Sequence, residues 1–384
     1  MSSIFKVRWT SDGKEKTAWA VDYFDQDRKK RRRTFKTQRD AKEWDIAAQG
    51  EIKAGKHTPD SKSITVIEAM RLWLDRCWLR IDLDGDEKLE WSTVRQYNSH
   101  VGHIAKSSIA TVKLSRLAMP MVETFKDELL GKGVSSATAR KILTSLKTAI
   151  TEAQRRGLVA QNVAADVRYG KRKRRAIVEG EDLPTKAELQ AILAKAGDWY
   201  PLLVTAAFTG MRSSELRGLR WGDIDFDTKD VHVCRRADYR RKIGEPKSAA
   251  GSRTIPLIDL VVNALRTYRI ASRWSGDDDY VFCNSVGRIT FHQSIQSGGF
   301  IPVQIAAGIE PTKYGLHSLR HFYASWLIGL RHYSPKEIQA MLGHATLAMT
   351  FDTYGHLLKK SEAEEQQDRA KLEAASHEFR LIAT

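Results

Sequence analysis

The sequence predicts a mainly α-helical fold with small antiparallel β-sheets, and three patterns carry this prediction. Apolar and polar residues alternate near the N-terminus, which is typical of half-buried strands. Apolar residues then recur at helical spacing through residues 65–156, and after residue 185 helical segments surround two short strand-like ones. We therefore expect an N-terminal β3α module, a helical bundle and a mixed α/β domain, for which 384 residues are long enough.

Residues 1–58 are predicted to form the β3α module. Apolar or aromatic side chains occupy every second position in the segments FKVRW, at residues 5–9, and WAVDY, at residues 19–23. A helix is expected to begin after Thr37, whose hydroxyl can cap the backbone, and to end at Gly55. Its inner face is predicted to carry Ala41, Trp44, Ala48 and Ile52.

The helical bundle is predicted to occupy residues 63–170, after a linker candidate at residues 57–63. Thr65 and Glu68 form a capping box ahead of its first helix. Further helices are expected at residues 92–103, 120–130 and 136–156. Short connections between these segments favour a compact bundle of four or five helices.

The net charge of +16 and the pI near 9.7 indicate a polyanionic partner. Two clusters of cations stand out as candidate DNA-binding residues: Lys29, Lys30, Arg31, Arg32 and Arg33, and Lys171, Arg172, Lys173, Arg174 and Arg175. The first cluster is also explained by a charged edge strand that resists aggregation. The second is explained by a nuclear import signal, a solvated charge block, or a basic linker, residues 171–184, whose cations neutralise phosphates.

Several classes of protein are disfavoured. No apolar stretch approaches the ~20 residues that cross a bilayer, and the N-terminus lacks a signal-peptide core, so a cytoplasmic protein with no membrane partner is expected. Cys77, Cys234 and Cys283 lack CxxC spacing and are predicted to be reduced. The acidic segment IDLDGDEKLE, residues 81–90, departs from the EF-hand pattern because its glycine comes too early.

The most informative residues are six polar side chains scattered through the second half of the chain. They are Arg212 in TGMRSSEL, Lys247 in GEPKSAAG, His317 and Arg320 in HSLRH, His344 in MLGH, and Tyr354 in DTYGH. Arginine, lysine and histidine together suit a clamp on a phosphodiester, and a tyrosine can attack it. His317 and Arg320 share one face of a helix, whereas His321 is predicted to point elsewhere.

These motifs closely resemble the Arg, Lys, His-x-x-Arg, His and Tyr boxes of the tyrosine recombinase (phage integrase) family, in this order. The resemblance is specific from about residue 185 to residue 360 and looser toward the N-terminus. It implies an arm-type DNA-binding module at residues 1–58, a core-binding bundle at 63–170 and a catalytic domain with a C-terminal tail at 185–384. The tail, residues 361–384, is expected to be helical and to pack either on a neighbouring protomer or on its own domain.

The resemblance also implies a mechanism that needs no metal, no ATP and no other cofactor. Arg212, Arg320 and His344 would neutralise the phosphate, and Glu215 would orient Arg212. His317 would act as general base and Lys247 would protonate the leaving 5′ oxygen. The expected partners are double-stranded DNA at attachment sites and a homotetramer on synapsed DNA, with accessory DNA-bending or excision proteins left open.

Three alternatives are kept. A type IB topoisomerase shares this chemistry but acts as a monomer, and a non-catalytic DNA-binding regulator on the same fold would not need all six residues. A metal site formed by His317, His321, His344 and His356 is the third alternative. It is disfavoured because two arginines would repel the ion.

Overall fold

The computed structural model describes most of the chain in two compact units, residues 1–172 and 173–384. The described residues are 2–11, 13–25, 27–55, 57–81, 83, 88–170, 177–246, 248–355, 357, 366, 367 and 369–371. Helices dominate and the sheets are small and antiparallel, so the predicted fold class is confirmed. No helix in the described part of the chain is long and apolar enough to cross a bilayer.

The N-terminal module is a three-stranded antiparallel sheet followed by one helix. Its elements are β1 (Ser3–Ser11), β2 (Lys14–Phe24), β3 (Lys30–Phe35) and α1 (Gln38–Lys53), with strand order β1-β2-β3. The register pairs Ile4 with Val21 and Phe5 with Ala20, so these two pairs lie on opposite faces. Phe5 therefore faces away from the α1 side of the sheet, and the two alternating segments do not share one core.

The α1 side of the sheet forms the core of the module. Thr37 caps α1 by accepting a hydrogen bond from the Asp40 amide, as predicted. The Tyr23 ring packs edge-on against the Trp44 ring, with centroids 5.1 Å apart, and the Tyr23 hydroxyl lies 3.0 Å from His57 Nε2. The predicted linker at residues 57–63 is consequently packed against the module, since His57 is buried.

Three cations of β3 are held by two acidic residues of the same module. Arg32 forms two hydrogen bonds to the Asp22 carboxylate, at 2.6 and 2.9 Å, and Lys30 lies 3.1 Å from it. Arg31 donates to Asp25 Oδ2 at 2.7 Å. The pKa of Asp22 is lowered to about 2, chiefly by the hydrogen bond from Arg32. The basic strand is thus partly neutralised within its own module, a feature that the letters KKRRR do not reveal.

The bundle contains α2 (Val66–Leu79), α3 (Trp91–Ala105), α4 (Met119–Gly131) and α5 (Ser136–Arg155). The capping box of α2 is present, because Glu68 and Thr65 bond each other's backbone amides. Apolar side chains on all four helices form one buried core, which includes Phe125 and Leu146. The helices predicted for this region all form, within a few residues of the expected bounds.

The second unit is a set of helices around a small sheet. Its helices are α6 (Lys186–Ala194), α7 (Tyr200–Thr209), α8 (Ser213–Gly218), α9 (Asp259–Ala271), α10 (His292–Ile295), α11 (Ile301–Ala306), α12 (Leu316–Gly329), α13 (Pro335–Leu342) and α14 (Leu347–Tyr354). Its strands are β4 (Ile224–Asp225), β5 (Asp230–Val233), β6 (Arg236–Ala237), β7 (Ile243–Gly244) and β8 (Arg253–Pro256). The sheet has the order β4-β5-β8, and β6 pairs with β7.

Gly210, between α7 and Arg212, allows the close approach of α12. Its φ is +59°, and a Cβ there would lie 2.5 Å from Cδ1 of Tyr323 on α12. Gly210→Ala should therefore lower the free energy of unfolding by at least about 1–2 kcal/mol, the cost of a left-handed conformation alone. Gly329→Ala, on the same helix as Tyr323 but in open space, is the control and should stay within about 0.5 kcal/mol of wild type. Equal denaturation midpoints for the two variants would contradict this packing.

Candidate active site

Arg212 is held at the start of α8 by Glu215. Arg212 Nη1 donates to Glu215 Oε1 at 2.6 Å, and its backbone amide donates to Oε2 at 2.9 Å. Arg212 Nη2 reaches across to the carbonyl of Gly343 at 2.9 Å. About a third of the Arg212 side chain remains exposed, while that of Glu215 is buried. The arginine is therefore oriented by fixed protein groups and still presents a guanidinium edge to solvent.

Arg253, at the start of β8, is a buried cation that the sequence analysis missed. Its Nη2 donates to Glu215 Oε2 at 3.0 Å, and its Nε donates to the Met341 carbonyl on α13 at 2.7 Å. Because Glu215 also binds Arg212, one carboxylate joins both arginines. Burial alone would raise the pKa of Glu215, but the two guanidinium groups, Arg253 first, lower it below its usual range.

Arg320, on α12, is buried deeper than Arg212. Nη1 donates to the Gly210 carbonyl at 2.7 Å and Nη2 to the Leu342 carbonyl at 2.5 Å. These contacts tie α12 to the ends of α7 and α13, directly beside Arg212. Burial and the charge of Arg212 both lower the pKa of Arg320, so two cations are held close together. Such an arrangement favours an anion.

His344 follows α13, where Gly343 takes a φ of +65° and ends the helix. The predicted cap is present, since Ser334 accepts from the Glu337 amide. His344 Nδ1 lies 2.9 Å from the hydroxyl of Thr350 on α14. Burial, followed by the charges of Arg320 and Arg212, lowers the pKa of His344 to about 4. The imidazole is therefore neutral at pH 7 and its ring orientation is fixed by Thr350.

His317 lies one helical turn before Arg320 and His321. The residue is exposed, yet the protein around its ring removes water and, together with the charges of His321, Arg320 and Arg212, lowers its pKa to about 4. Its ring meets that of His321 edge-on, with centroids 4.7 Å apart. The charges of Arg212 and Arg320 lower the pKa of both His317 and His344, so these four side chains lie close together.

Tyr354, the last residue of α14, is nearly fully buried, with 1% of its surface exposed. Burial raises the pKa of its phenol. Its hydroxyl lies 2.6 Å from Nδ1 of His321. The prediction that His321 points away from the site was wrong: residues four apart share a helix face as closely as residues three apart, so His317, Arg320 and His321 all face this site.

Some predicted residues lie outside the described part of the chain. They are Lys247, His356 and the linker cations Lys171, Arg172, Lys173, Arg174 and Arg175. The hairpin that precedes Lys247 is described, and buried Arg217 on α8 holds it by donating to the Ala237 and Asp238 carbonyls, at 2.6 and 3.0 Å. Most of the tail from residue 361 onward is likewise outside the described residues.

The carboxylates and histidines of the described residues do not form a metal-binding group. No three His, Cys, Asp or Glu side chains in that part of the chain are placed to hold an ion together. His317 and His321 do approach each other, but their neighbours are the guanidinium of Arg320 and the phenol of Tyr354. The arrangement is suited to binding a phosphate and presenting a hydroxyl to it.

Comparisons with known proteins point to one family. Residues 185–361 match the model of the phage integrase family. A tyrosine recombinase XerC-like protein of Caldanaerobacter subterraneus subsp. tengcongensis is 26% identical over 297 residues, covering 70% of this chain and 75% of that protein. Prophage integrase IntR of Escherichia coli is 26% identical over 194 residues, 44% of this chain and 46% of IntR.

Solved structures show the same fold. The integrase of transposon Tn1549, in complex with a circular intermediate DNA, has a TM-score of 0.66 at 18% identity and covers 81% of this chain and all of that one. A lambda integrase tetramer bound to a Holliday junction has a TM-score of 0.58 at 19% identity. This match covers 85% of this chain and 93% of the lambda integrase chain.

Residues 185–361 form a domain of the phage integrase family, the family of the tyrosine recombinases. The chain is a tyrosine-type site-specific recombinase, as the six polar residues predict. The motifs thus identify the class of enzyme.

Glu215 offers a test of the arginine network. Glu215→Gln leaves Arg253 buried without a countercharge, so the free energy of unfolding should fall by about 3–5 kcal/mol at pH 7. Because folding lowers the pKa of Glu215, this contribution is complete above the unfolded value near 4.3 and is lost as pH falls through the folded value. The difference in the free energy of unfolding between wild type and Glu215→Gln should therefore disappear as the pH is lowered.

The control is Glu337→Gln, at the exposed cap of α13, measured by denaturant unfolding over the same pH range. It should change stability far less than Glu215→Gln does. A gap for Glu215→Gln that persists unchanged at pH 3 would mean that the carboxylate is not ionised in the folded protein.

Proposed function

We propose that this chain is the integrase of a prophage or another mobile element, acting at attachment sites on double-stranded DNA. The observation that carries the proposal is the convergence of Arg212, Arg320 and His344 beside a buried Tyr354. Four helices contribute to this site. Two backbone carbonyls hold the Arg320 guanidinium, and the Glu215 carboxylate and the Gly343 carbonyl hold that of Arg212. Site-specific recombination by this chain would use this single site for cutting and for rejoining.

In the proposed reaction Tyr354 attacks the phosphorus and displaces the 5′ oxygen, which leaves a 3′-phosphotyrosyl bond. The negative charge on the non-bridging oxygens would be met by Arg212 and Arg320, with a hydrogen bond from His344. Lys247 would give a proton to the 5′ oxygen, and His317 would assist at the phosphate or take the phenolic proton. The bond energy stays in the covalent intermediate, so neither ATP nor a metal or other cofactor is proposed.

Glu215 is proposed to act through Arg212 rather than on DNA. Its carboxylate is buried and is shared between Arg212 and Arg253, so it fixes the position of the guanidinium. Arg253 is proposed to help fix the Arg212 guanidinium by binding Glu215 at Oε2, whereas the Arg212 guanidinium binds Oε1. Neither side chain needs to touch the phosphate for its loss to slow the reaction.

The N-terminal module is proposed to bind separate arm-type DNA sites and the bundle to bind the core site. The basic linker of residues 171–184 is proposed to connect the bundle to the catalytic domain. Lys29 and Arg33 form no ion pair among the described residues, whereas Lys30, Arg31 and Arg32 do. Arg33 instead lies over the Trp44 ring, 5.0 Å from its centroid. Lys29 is therefore the cation of this cluster most open to a phosphate.

The assembly is proposed to be a homotetramer on synapsed DNA in the bacterial cytoplasm. The lambda integrase neighbour was crystallised as a tetramer on a Holliday junction, which supports this proposal. Accessory DNA-bending or excision proteins are proposed as optional partners. A type IB topoisomerase would cut and rejoin as a monomer, so the dependence of product formation on synapsis separates the two functions.

A nicked suicide substrate tests the proposal. The wild-type protein should form a covalent adduct on DNA that contains an attachment site, and should do so in EDTA, because arginines replace the charge of a metal ion. Denaturing gels measure the adduct, and unrelated DNA of the same length is the control. Cleavage that stops in EDTA and returns with Mg²⁺ or Zn²⁺ would favour the metal alternative instead.

A further inference from the structure

The hydroxyl of the proposed nucleophile already has a basic partner in the structure. Tyr354 Oη and His321 Nδ1 lie 2.6 Å apart, which is a short hydrogen bond. The two rings meet edge-on, with centroids 5.8 Å apart. Among the residues that the structure describes, His321 is the one hydrogen-bond partner of this hydroxyl.

Burial makes this partner significant. A phenol must lose its proton in order to attack phosphorus effectively, and burial raises the pKa of Tyr354. The residue exposes 1% of its surface, so bulk water has little access to remove the proton. A buried acid of this kind needs a base that belongs to the protein.

The surroundings of His321 favour an unprotonated imidazole. His317 and Arg320 flank it on α12, Tyr354 faces it from α14, and the carboxylate of Asp182 lies near enough to oppose them. Burial and then the charge of Arg320 lower the pKa of His321. A neutral ring has one acceptor nitrogen, and the phenol is the donor that Nδ1 faces.

His317 is placed less well for this role. It is exposed and makes no hydrogen bond to Tyr354 within the described residues. Its ring contacts His321 instead, so it can steady the imidazole that meets the phenol. Helix geometry thus gives the two histidines different neighbours: His317 faces the open side and His321 faces the tyrosine.

We propose that His321 is the general base that takes the proton of Tyr354 during strand cleavage. This rests on the proposed function, in which Tyr354 attacks DNA. The Tyr354 Oη–H bond breaks and its proton moves to His321 Nδ1 while the Oη–P bond forms. The P–O5′ bond breaks at the same time, and the general acid, Lys247 in the proposed function, protonates O5′. During rejoining the O5′ hydroxyl gives its proton back to Lys247 and attacks phosphorus, the Oη–P bond breaks, and His321 returns its proton to Tyr354.

Two substitutions at His321 separate basicity from positioning. His321→Asn places an amide oxygen near the position of Nδ1, so it keeps an acceptor without a base. His321→Ala removes the ring and leaves space for free imidazole. Cleavage of the nicked substrate should slow by about 10²–10⁴-fold in both variants. His332→Ala, in the turn beyond the far end of α12, is the matched control and should cleave at the wild-type rate.

Two rescues identify the base. Imidazole in the buffer should restore cleavage by His321→Ala and leave His332→Ala unchanged. In His321→Asn, Tyr354 is replaced with a ring-fluorinated tyrosine, whose phenol is more acidic. This replacement should bring the cleavage rate of the variant closer to that of wild type. A band-shift measurement of DNA binding and a thermal melt confirm that each variant is folded.

The outcomes are distinct. Cleavage by His321→Asn at the wild-type rate would overturn the proposal. It would also be overturned if both variants were slow and neither imidazole nor fluorinated tyrosine restored cleavage, because His321 would then only hold the Tyr354 ring in place. Failure of the proposed function gives a different result, since wild-type protein would form no adduct, or Tyr354→Phe would form as much as wild type. Rescue in a protein whose adduct requires Tyr354 supports both.

Discussion

Tyr354→Phe is expected to abolish the covalent protein–DNA adduct while leaving DNA binding intact. The substitution removes one oxygen from a side chain whose ring is buried beside α12, so the packing of α14 should survive. The lost contact is the hydrogen bond to His321, which costs about 1 kcal/mol and does not unfold the domain. The adduct is measured on a nicked suicide substrate by denaturing gel, and binding by band shift.

The matched control is Tyr323→Phe, a buried tyrosine on α12 whose hydroxyl contacts the Met341 sulfur at 3.9 Å. It removes the same oxygen from the same unit and should leave cleavage near the wild-type rate. Undiminished adduct in Tyr354→Phe would move the nucleophile to another side chain.

The second large effect is expected at Lys247. If this lysine protonates the leaving oxygen, Lys247→Ala should slow cleavage of ordinary DNA by about 10²–10⁴-fold. A substrate with sulfur in place of the bridging 5′ oxygen has a leaving group that departs without a proton. The variant should therefore cleave the sulfur substrate nearly as fast as wild type does, in single-turnover measurements.

Arg212→Ala is the control for this experiment. Its guanidinium serves the non-bridging oxygens, which become negative with either substrate, so sulfur should not rescue it. If Lys247→Ala stays equally slow on both substrates, Lys247 only holds the phosphate or the loop. His317 or His344 would then be the next candidate for the acid.

Local signals in the sequence predicted most of the helices. The caps at Thr65 and Ser334 are built from residues three positions apart, and such contacts can be identified without knowledge of the fold. The convergence of Arg212 with Arg320 and His344 was expected from the family resemblance rather than from spacing. The structure adds the physical reason: backbone carbonyls at the ends of α7 and α13 bind the guanidinium groups.

Contacts between segments that are distant in the chain could not be predicted from local sequence patterns. Arg253 appears in the segment SRTIPL as an ordinary strand residue, and only the fold places it between Glu215 and α13. The two faces of the N-terminal sheet depend on the register of β1 against β2, which alternation alone does not set. His321 is different, because its i+4 relation to His317 was visible in the sequence and was interpreted wrongly.

The proposed reaction joins Tyr354 to the 3′ phosphate of the cleaved strand. Mass spectrometry of the trapped adduct, after nuclease and protease digestion, tests it most directly. We expect one modified peptide, which carries a nucleotide on Tyr354 through its 3′ phosphate. A nucleotide on any other side chain, or a link through a 5′ phosphate, would contradict it.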